Sequence, residues 1–143
     1  MIKICFPQGK QFEDYYELRW RVLRKPWNQP RGSEKDELED KSIHIMACDG
    51  DKIVGVARLH FNSKEEAQIR YMAVDENYRR RGIGSTMLQR SEEIAKERGA
   101  SHIVLNAREN AVGFYEKNGY KIVEKSYVLF GEIQHYKMMK KLG

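Results

Sequence analysis

Three consecutive arginines, Arg79-Arg80-Arg81, run directly into Gly82-Ile83-Gly84-Ser85. The residues before them, Met72-Ala73-Val74, read as the end of a strand, and those after Gly82 take a helical period. A helix N-terminus leaves backbone N–H groups unpaired and carries positive dipole charge, so placing three cations there is locally unfavourable. Asp75 and Glu76 are expected to offset part of that cost, and a bound polyanion would offset more. Gly82 and Gly84 remove Cβ atoms where a phosphate would approach the backbone. The chemistry implied is a pyrophosphate cradle, the competing reading being an exposed Arg-rich turn relaxed by glycines. No Gly-Lys-Ser/Thr follows, which excludes a P-loop, and the glycine spacing and ribose-binding acid of a dinucleotide fingerprint are missing.

Other reactive side chains are sparse. Cys5 and Cys48 lie far apart in sequence with no histidine at ligand spacing, so buried reduced thiols are expected, with no metal site and no disulfide framework. A net charge of +5 suits an anionic partner such as nucleic acid, a membrane surface or a phosphorylated cofactor. Arg19, Arg21 and Arg58 are candidates for binding a substrate carboxylate or phosphate, whereas the acidic run Glu34 to Asp40 would attract a cationic amine. Solvated surface charge is the expected explanation of either group taken alone.

The elements that must position these residues are legible from periodicity. With 143 residues, 41% of them hydrophobic and 33% charged, one soluble globular domain spanning 1–143 is expected. No apolar run approaches the ~20 residues of a membrane span, and the N-terminus reads as a strand instead of a signal peptide, so cytoplasm is the expected location. Residues 2–6 form that strand, and Gln11 to Arg24 a helix with a broad apolar face. Strands at Ile43–Asp49 and Lys52–Phe61 are joined by an Asp49-Gly50-Asp51 hairpin, and Gln68–Val74 is a third. A helix over Gly82–Arg98 stops at Gly99. A strand at His102–Ala107, a short helix at Asn110–Lys117, and strands near Tyr120–Leu129 and Gln134–Lys140 complete an α/β sheet with helices packed on it.

Arg79-Arg80-Arg81-Gly82-Ile83-Gly84 resembles the R/Q-x-x-G-x-G/A signature of the GNAT superfamily of N-acetyltransferases. Ala111-Val112-Gly113-Phe114-Tyr115-Glu116-Lys117-Asn118-Gly119-Tyr120 is similar to the family's A-x-x-F-Y-x-x-x-G-F/Y element, and Arg70 to Val74 looks like its fourth strand. The likeness covers roughly residues 40–125. It implies a mixed, mainly antiparallel central sheet flanked by helices, and acetyl-CoA as cosubstrate. It further implies direct transfer of an acetyl group to the amine of a small molecule or peptide. Dimerisation is common among similar proteins.

Carried over residue by residue, Arg79, Arg80, Arg81, Gly82, Ile83, Gly84 and Ser85 would hold the pyrophosphate. Met72, Ala73 and Val74 would meet the pantetheine arm through main-chain atoms, with Asn110 and Phe114 also on the cofactor side. Tyr115 takes the position of the general acid. The family's asparagine seven residues before the tyrosine is replaced here by Arg108, with Asn106 nearby on the strand. Gln68 stands where histone-modifying members carry a glutamate base and cannot accept a proton. The base is then His44, His135 or a water chain. His135 lies in Gly131–Met138, similar to an Ile-x-His-x-x-Met element of small ElaA-like members, whereas His60 and His102 are expected to be structural. Two other readings compete: a module that binds acyl-CoA without turnover, and nucleic-acid binding through Arg79–Arg81. The second lacks a stacking aromatic array and any reader motif.

Overall fold

A computed structural model describes all residues 1–143. The chain runs β1 (Ile2–Cys5), α1 (Gln11–Leu23), β2 (Ile43–Asp49), β3 (Lys52–Phe61), β4 (Glu66–Val74), α2 (Ile83–Glu97), β5 (His102–Arg108), α3 (Val112–Lys117), β6 (Lys121–Leu129) and β7 (Ile133–Lys141). The strands make one sheet in the order β1-β2-β3-β4-β5-β7-β6. Every neighbouring pair is antiparallel except β4 and β5. The predicted α/β class and mainly antiparallel sheet are therefore what the chain adopts. No helix is long and apolar enough to cross a membrane.

Period-two alternation in β2 sends successive side chains to opposite faces. Ile45 and Ala47 join the larger core with Met87, Leu88 and Ile94 of α2. Met46 and Cys48 join a smaller one with Tyr15 and Leu18 of α1. Helix α2 buries Ile83, Met87, Leu88, Ser91, Ile94 and Ala95, an i, i+3, i+4 stripe. It ends in paired bonds from Ala100 N–H to Ala95 C=O and from Gly99 N–H to Lys96 C=O, both 3.0 Å, which satisfy its last carbonyls.

One irregularity decides where the site lies. Arg58 pairs with Arg70 and Val56 with Ala73, so Tyr71 and Met72 of β4 together oppose Ala57 of β3. This bulge puts Tyr71 at φ +58°, a conformation that a bulky residue adopts only under tertiary constraint. Parallel pairing of β4 with β5 runs from Glu66↔His102 to Ile69↔Leu105 and stops there. Beyond it the two strands part, and Asn106 to Arg108 pair only with β7.

A buried ionic network holds α1 and the loop after it against the sheet. Arg19 and Arg58 have no solvent exposure at all. Arg19 donates to Glu39 at 2.9 Å, to the Glu34 carbonyl at 3.0 Å and to the Tyr15 hydroxyl at 3.1 Å. Arg58 donates to both Asp36 and Glu39. Burial by itself raises these carboxyls, but the arginine hydrogen bonds and charges prevail and hold Asp36 and Glu39 below the usual carboxylate range. Arg19, Arg58 and the acidic run, named as rival substrate contacts but expected to be solvated surface charge, instead neutralise each other inside the protein. Arg21 is likewise engaged, by Asp75 at 2.8 Å and Glu76 at 3.7 Å, so neither acid is left to offset Arg79–Arg81. His44 belongs to the same network, with Nε2 at 2.8 Å from the Glu39 carbonyl and Nδ1 at 3.0 Å from Tyr15. That removes it as a candidate base. Cys5 and Cys48 are free thiols, but the antiparallel strands bring their sulfurs to 3.5 Å, which sequence distance concealed. Burial pushes the Cys48 thiol up to about 12.

Removing one partner of such a network leaves charge buried and unpaired. Glu39→Gln should cost about 3–5 kcal/mol, read as a drop in Tm of roughly 10 °C. A change below about 1 kcal/mol would mean that Glu39 is not the shared anion. The pH dependence has two stages. His44, His60 and His135 are held below the ordinary histidine value, chiefly by burial, so their contribution is complete above pH ~6.5 and declines below it. Asp36 and Glu39, also depressed, add a second decline below pH ~4. Thermal melts across this range should show both.

Candidate active site

The parting of β4 and β5 opens a cavity of about 250 Å³, lined by 16 residues. On the β4-facing edge of β5 and the β5-facing edge of β4, backbone beyond Leu105 and Ile69 has no strand partner. Its lining includes Met72 of β4, Asn106 of β5, and Ala111 and Tyr115 beyond it, together with Arg24, Arg70, Arg108, Tyr127 and His135. The structure thus gathers three predicted catalytic residues, Tyr115, His135 and Asn106, around one space, although 29 positions separate the first from the last in sequence.

Tyr115 sits on α3, held by edge-to-face contacts with Phe114 and Tyr120 at ring-centroid distances of 5.0 and 5.8 Å. The only hydrogen-bond acceptor its hydroxyl finds is the Met72 thioether sulfur, at 3.9 Å. A thioether is a weak acceptor, so the phenol proton remains available. Desolvation pushes this phenol up to about 12, and it is fully protonated at neutral pH. Asn106 makes no side-chain hydrogen bond within the protein, leaving both halves of its amide for a ligand.

His135 is 3% exposed and stacks on Tyr127 at 4.4 Å. Its Nδ1 lies 3.0 Å from the Ile133 carbonyl, an oxygen that can only accept. The proton of the neutral ring is therefore on Nδ1, and Nε2 carries the lone pair. Burial lowers the His135 pKa, and the cations Arg108, Arg24 and Arg70 lower it further, against the opposing Ile133 carbonyl. Neutral imidazole is the resting form at pH 7. Gln68 also lines the cavity, its amide oxygen accepting from Asn62 at 2.9 Å. His60 and His102 lie elsewhere, on Arg58 and Glu66 respectively.

The Arg/Gly segment forms the start of α2. Gly82, in open space at φ +78°, occupies the N-cap, where the left-handed backbone excludes most side chains. It offers no side chain to cap the helix, and the first helical bond runs from Thr86 N–H to Gly82 C=O. The N–H groups of Ile83, Gly84 and Ser85 are therefore unpartnered. Arg79, Arg80 and Arg81 are exposed and form no ion pair, Arg81 resting 4.7 Å above the Tyr78 ring. Free N–H groups, helix dipole and three unpaired guanidiniums fit an anionic pyrophosphate. Gly84 proves to have another reason. A Cβ there would stand 2.9 Å from Phe114 Cζ, so its absence lets α3 pack under the start of α2. Phe114 is thus a support for the helix, and Asn110 is exposed in the turn before α3, next in sequence to Ala111 of the cavity lining.

Sequence reasoning missed Arg24 and left Arg108 as a mere departure from pattern. Arg24 carries no motif, because it is the C-cap of α1 and reaches the cavity only once that helix docks.

Comparison with known proteins agrees with this geometry. The acetyltransferase (GNAT) family pattern matches residues 12–120. The uncharacterized N-acetyltransferase YjcF of Bacillus subtilis (strain 168) is 35% identical over 131 residues, covering 92% of this chain and 93% of that protein. Among solved structures, Escherichia coli ElaA superposes with a TM-score of 0.81 at 21% identity, covering 98% of each chain. An aminoglycoside 6'-N-acetyltransferase complexed with coenzyme A gives 0.83 at 18% identity, over 99% of this chain and 97% of that one. A GNAT family acetyltransferase from Elizabethkingia anophelis with acetyl-CoA bound gives 0.77 at 20%, over 99% and 98%.

The start of α2 makes a direct prediction. Gly82→Val should weaken acetyl-CoA binding at least tenfold by calorimetric titration, with the far-UV CD spectrum retained. Unchanged affinity in that folded variant would remove the cradle assignment. By contrast, Gly84→Ala should act through stability. Adding Phe114→Leu to the Gly84→Ala variant should partly restore its melting temperature by making room for the new methyl.

Proposed function

The chain belongs to the acetyltransferase (GNAT) family, with acetyl-CoA as cosubstrate, and we propose that it acetylates the amine of a small molecule or peptide by direct transfer within the β4–β5 cavity. The observation that carries this reading is the Tyr115 phenol, protonated and bonded only to a thioether in a cavity shared with Asn106 and His135.

Each side chain has one task. The pyrophosphate lies against the N–H groups of Ile83 to Ser85 with Arg79 to Arg81 around it. Unpaired backbone of Met72 to Val74 takes the pantetheine arm, and strand N–H groups polarise the thioester oxygen. A neutral amine attacks the carbonyl carbon, forming C–N as C–S breaks. His135 Nε2 accepts the proton lost by nitrogen, and Tyr115 gives its own to the departing sulfur. Asn106, with no internal partner, orients the acyl group or the acceptor. No covalent enzyme intermediate is required, because both cysteines lie away from this cavity.

Removing the acid should slow chemistry and spare binding. Tyr115→Phe is expected to lower kcat about 10²-fold while the acetyl-CoA Kd stays within threefold, measured by thiol release and calorimetry. Rates unchanged by this substitution would take the acid role from Tyr115. In the unmodified protein no alkaline loss attributable to Tyr115 should appear between pH 7 and 10, since that phenol titrates only at about 12. His135 faces Arg24 of α1, Arg70 of β4, Arg108 of β5 and Tyr127 of β6, and it titrates below the ordinary ~6.5. Protonation should therefore cost activity only below that pH, and His135→Gln should abolish this acid limb.

A further inference from the structure

The β4–β5 cavity is electrically one-sided. Three guanidiniums line it, Arg24, Arg70 and Arg108, and no aspartate or glutamate stands among its 16 lining residues. Arg70 is already paired, donating to Asp36 at 2.8 Å. Arg24 and Arg108 have no carboxylate within ion-pair distance. Their partners are neutral carbonyls: Leu23 C=O receives Arg24 at 3.2 Å and Arg108 at 3.0 Å, and Ser33 C=O receives Arg24 Nε at 3.0 Å.

Two like charges thus converge on one carbonyl oxygen with nothing to neutralise them. Arg24 is only 7% exposed, and a buried cation without a counter-ion is costly to maintain. The same fold neutralises its other buried arginines, Arg19 and Arg58, with Glu39 and Asp36. The missing anion at Arg24 and Arg108 is therefore specific to the cavity. Nor are these side chains loose. The Arg24 guanidinium lies 5.6 Å from the Tyr71 ring centroid and 5.4 Å from that of Phe130, which fixes its plane. Burial first, then repulsion from a neighbouring arginine, presses each of the two toward losing charge, and an anion would relieve both.

We propose that the acceptor amine carries an anionic group, a carboxylate or phosphate, which Arg24 and Arg108 bind while the amine faces the thioester; this rests on the acetyl-transfer reading of the same cavity. A fork of guanidinium donors suits either oxyanion. The positive field also disfavours an ammonium ion, so it favours the neutral amine that attack requires. Polycationic acceptors are selected against by the same charge.

Matched amines test the idea: L-glutamate, O-phosphoserine and glycine against their uncharged amides or esters, each assayed for N-acetylated product. The anionic member of at least one pair should have a kcat/KM at least tenfold higher. Arg24→Met and Arg108→Met should each cut that preference at least tenfold, with Arg24→Lys and Arg108→Lys intermediate. Lys96→Met, on the exposed face of α2, serves as the charge control and should leave the preference intact. CD spectra and melts separate loss of the fold from loss of the site, and the two lysine variants keep the charge should a methionine variant unfold. In parallel, inorganic phosphate is titrated into the CoA-loaded protein, so that the start of α2 is blocked. Phosphate binding that both methionine variants lose, with no amine acetylated, would keep the anion site and sink the transfer reading. Transfer with no acid preference, or a preference that neither arginine influences, would overturn the anion site and leave transfer standing. Absence of both phosphate binding and acid preference overturns it as well.

Discussion

The site exists because β4 cannot run straight. Two residues, Tyr71 and Met72, occupy the space that Ala57 allots to one, and Tyr71 sits in a left-handed conformation that normally costs about 1–3 kcal/mol. What holds it there is cationic: Arg19, Arg24, Arg58 and Arg70 place their guanidinium carbons 4.5 to 5.6 Å from its ring centroid. Without that bend, parallel pairing with β5 could continue past Ile69. Every strand-edge backbone group now free for a ligand would then be spent on the sheet. The cavity is thus the gap left by an interrupted ladder, and the strain is offset by cation–π contact with a ring that only α1, β3 and β4 together can enclose.

The arginines around Tyr71 divide by their counter-ions. Arg19, Arg58 and Arg70 find Glu39 or Asp36, carboxylates supplied by the loop after α1. These pairs serve the fold, since they tie that loop and helix to the sheet, and the two unpartnered Nε atoms of Arg19 and Arg58 show that even here satisfaction is incomplete. Arg24, at the end of α1, reaches the Ser33 carbonyl just before the acidic run but pairs with none of its carboxylates. Docking α1 therefore does two things at once: it shores up the bulge and delivers an unneutralised cation to the cavity.

What sequence could show follows from the range of the forces involved. Periodicity and turn chemistry are local, so the strand and helix positions were legible, as was the Arg/Gly start of α2. Tyr115 and His135 were legible only through motif resemblance, because their meeting depends on β7 inserting between β5 and β6. The bulge was not, since nothing in Arg70-Tyr71-Met72 signals a positive φ. Neither was the pairing of Arg19 and Arg58 with Glu39, because charges 20 and 19 residues apart look alike whether solvated or buried. Arg108 meets the Leu23 carbonyl across 85 positions of sequence, a contact that no window along the chain contains. Gly84 was legible as important, but its close contact with Phe114 was not, since that ring arrives from another helix.

The start of α2 and the β4–β5 cavity follow one electrostatic logic with different materials. At the start of α2 the positive potential is exposed, built from backbone N–H groups and solvent-facing arginines, and suits the fully charged pyrophosphate of a cosubstrate that must arrive and leave with every turnover. In the β4–β5 cavity Arg24 is buried against the Tyr71 and Phe130 rings and Arg108 is half-buried, both held by backbone carbonyls, so much of their desolvation precedes any ligand. Desolvation already incurred in folding need not be incurred on binding, so such a site discriminates more sharply than an exposed one. Tyr115 and His135, the proposed acid and base, line this same cavity, and burial holds His135 below the ordinary histidine value. In the proposed reaction an uncharged acid and base need no carboxylate beside them, and the cavity lining holds none that would stabilise the unreactive ammonium form of the amine.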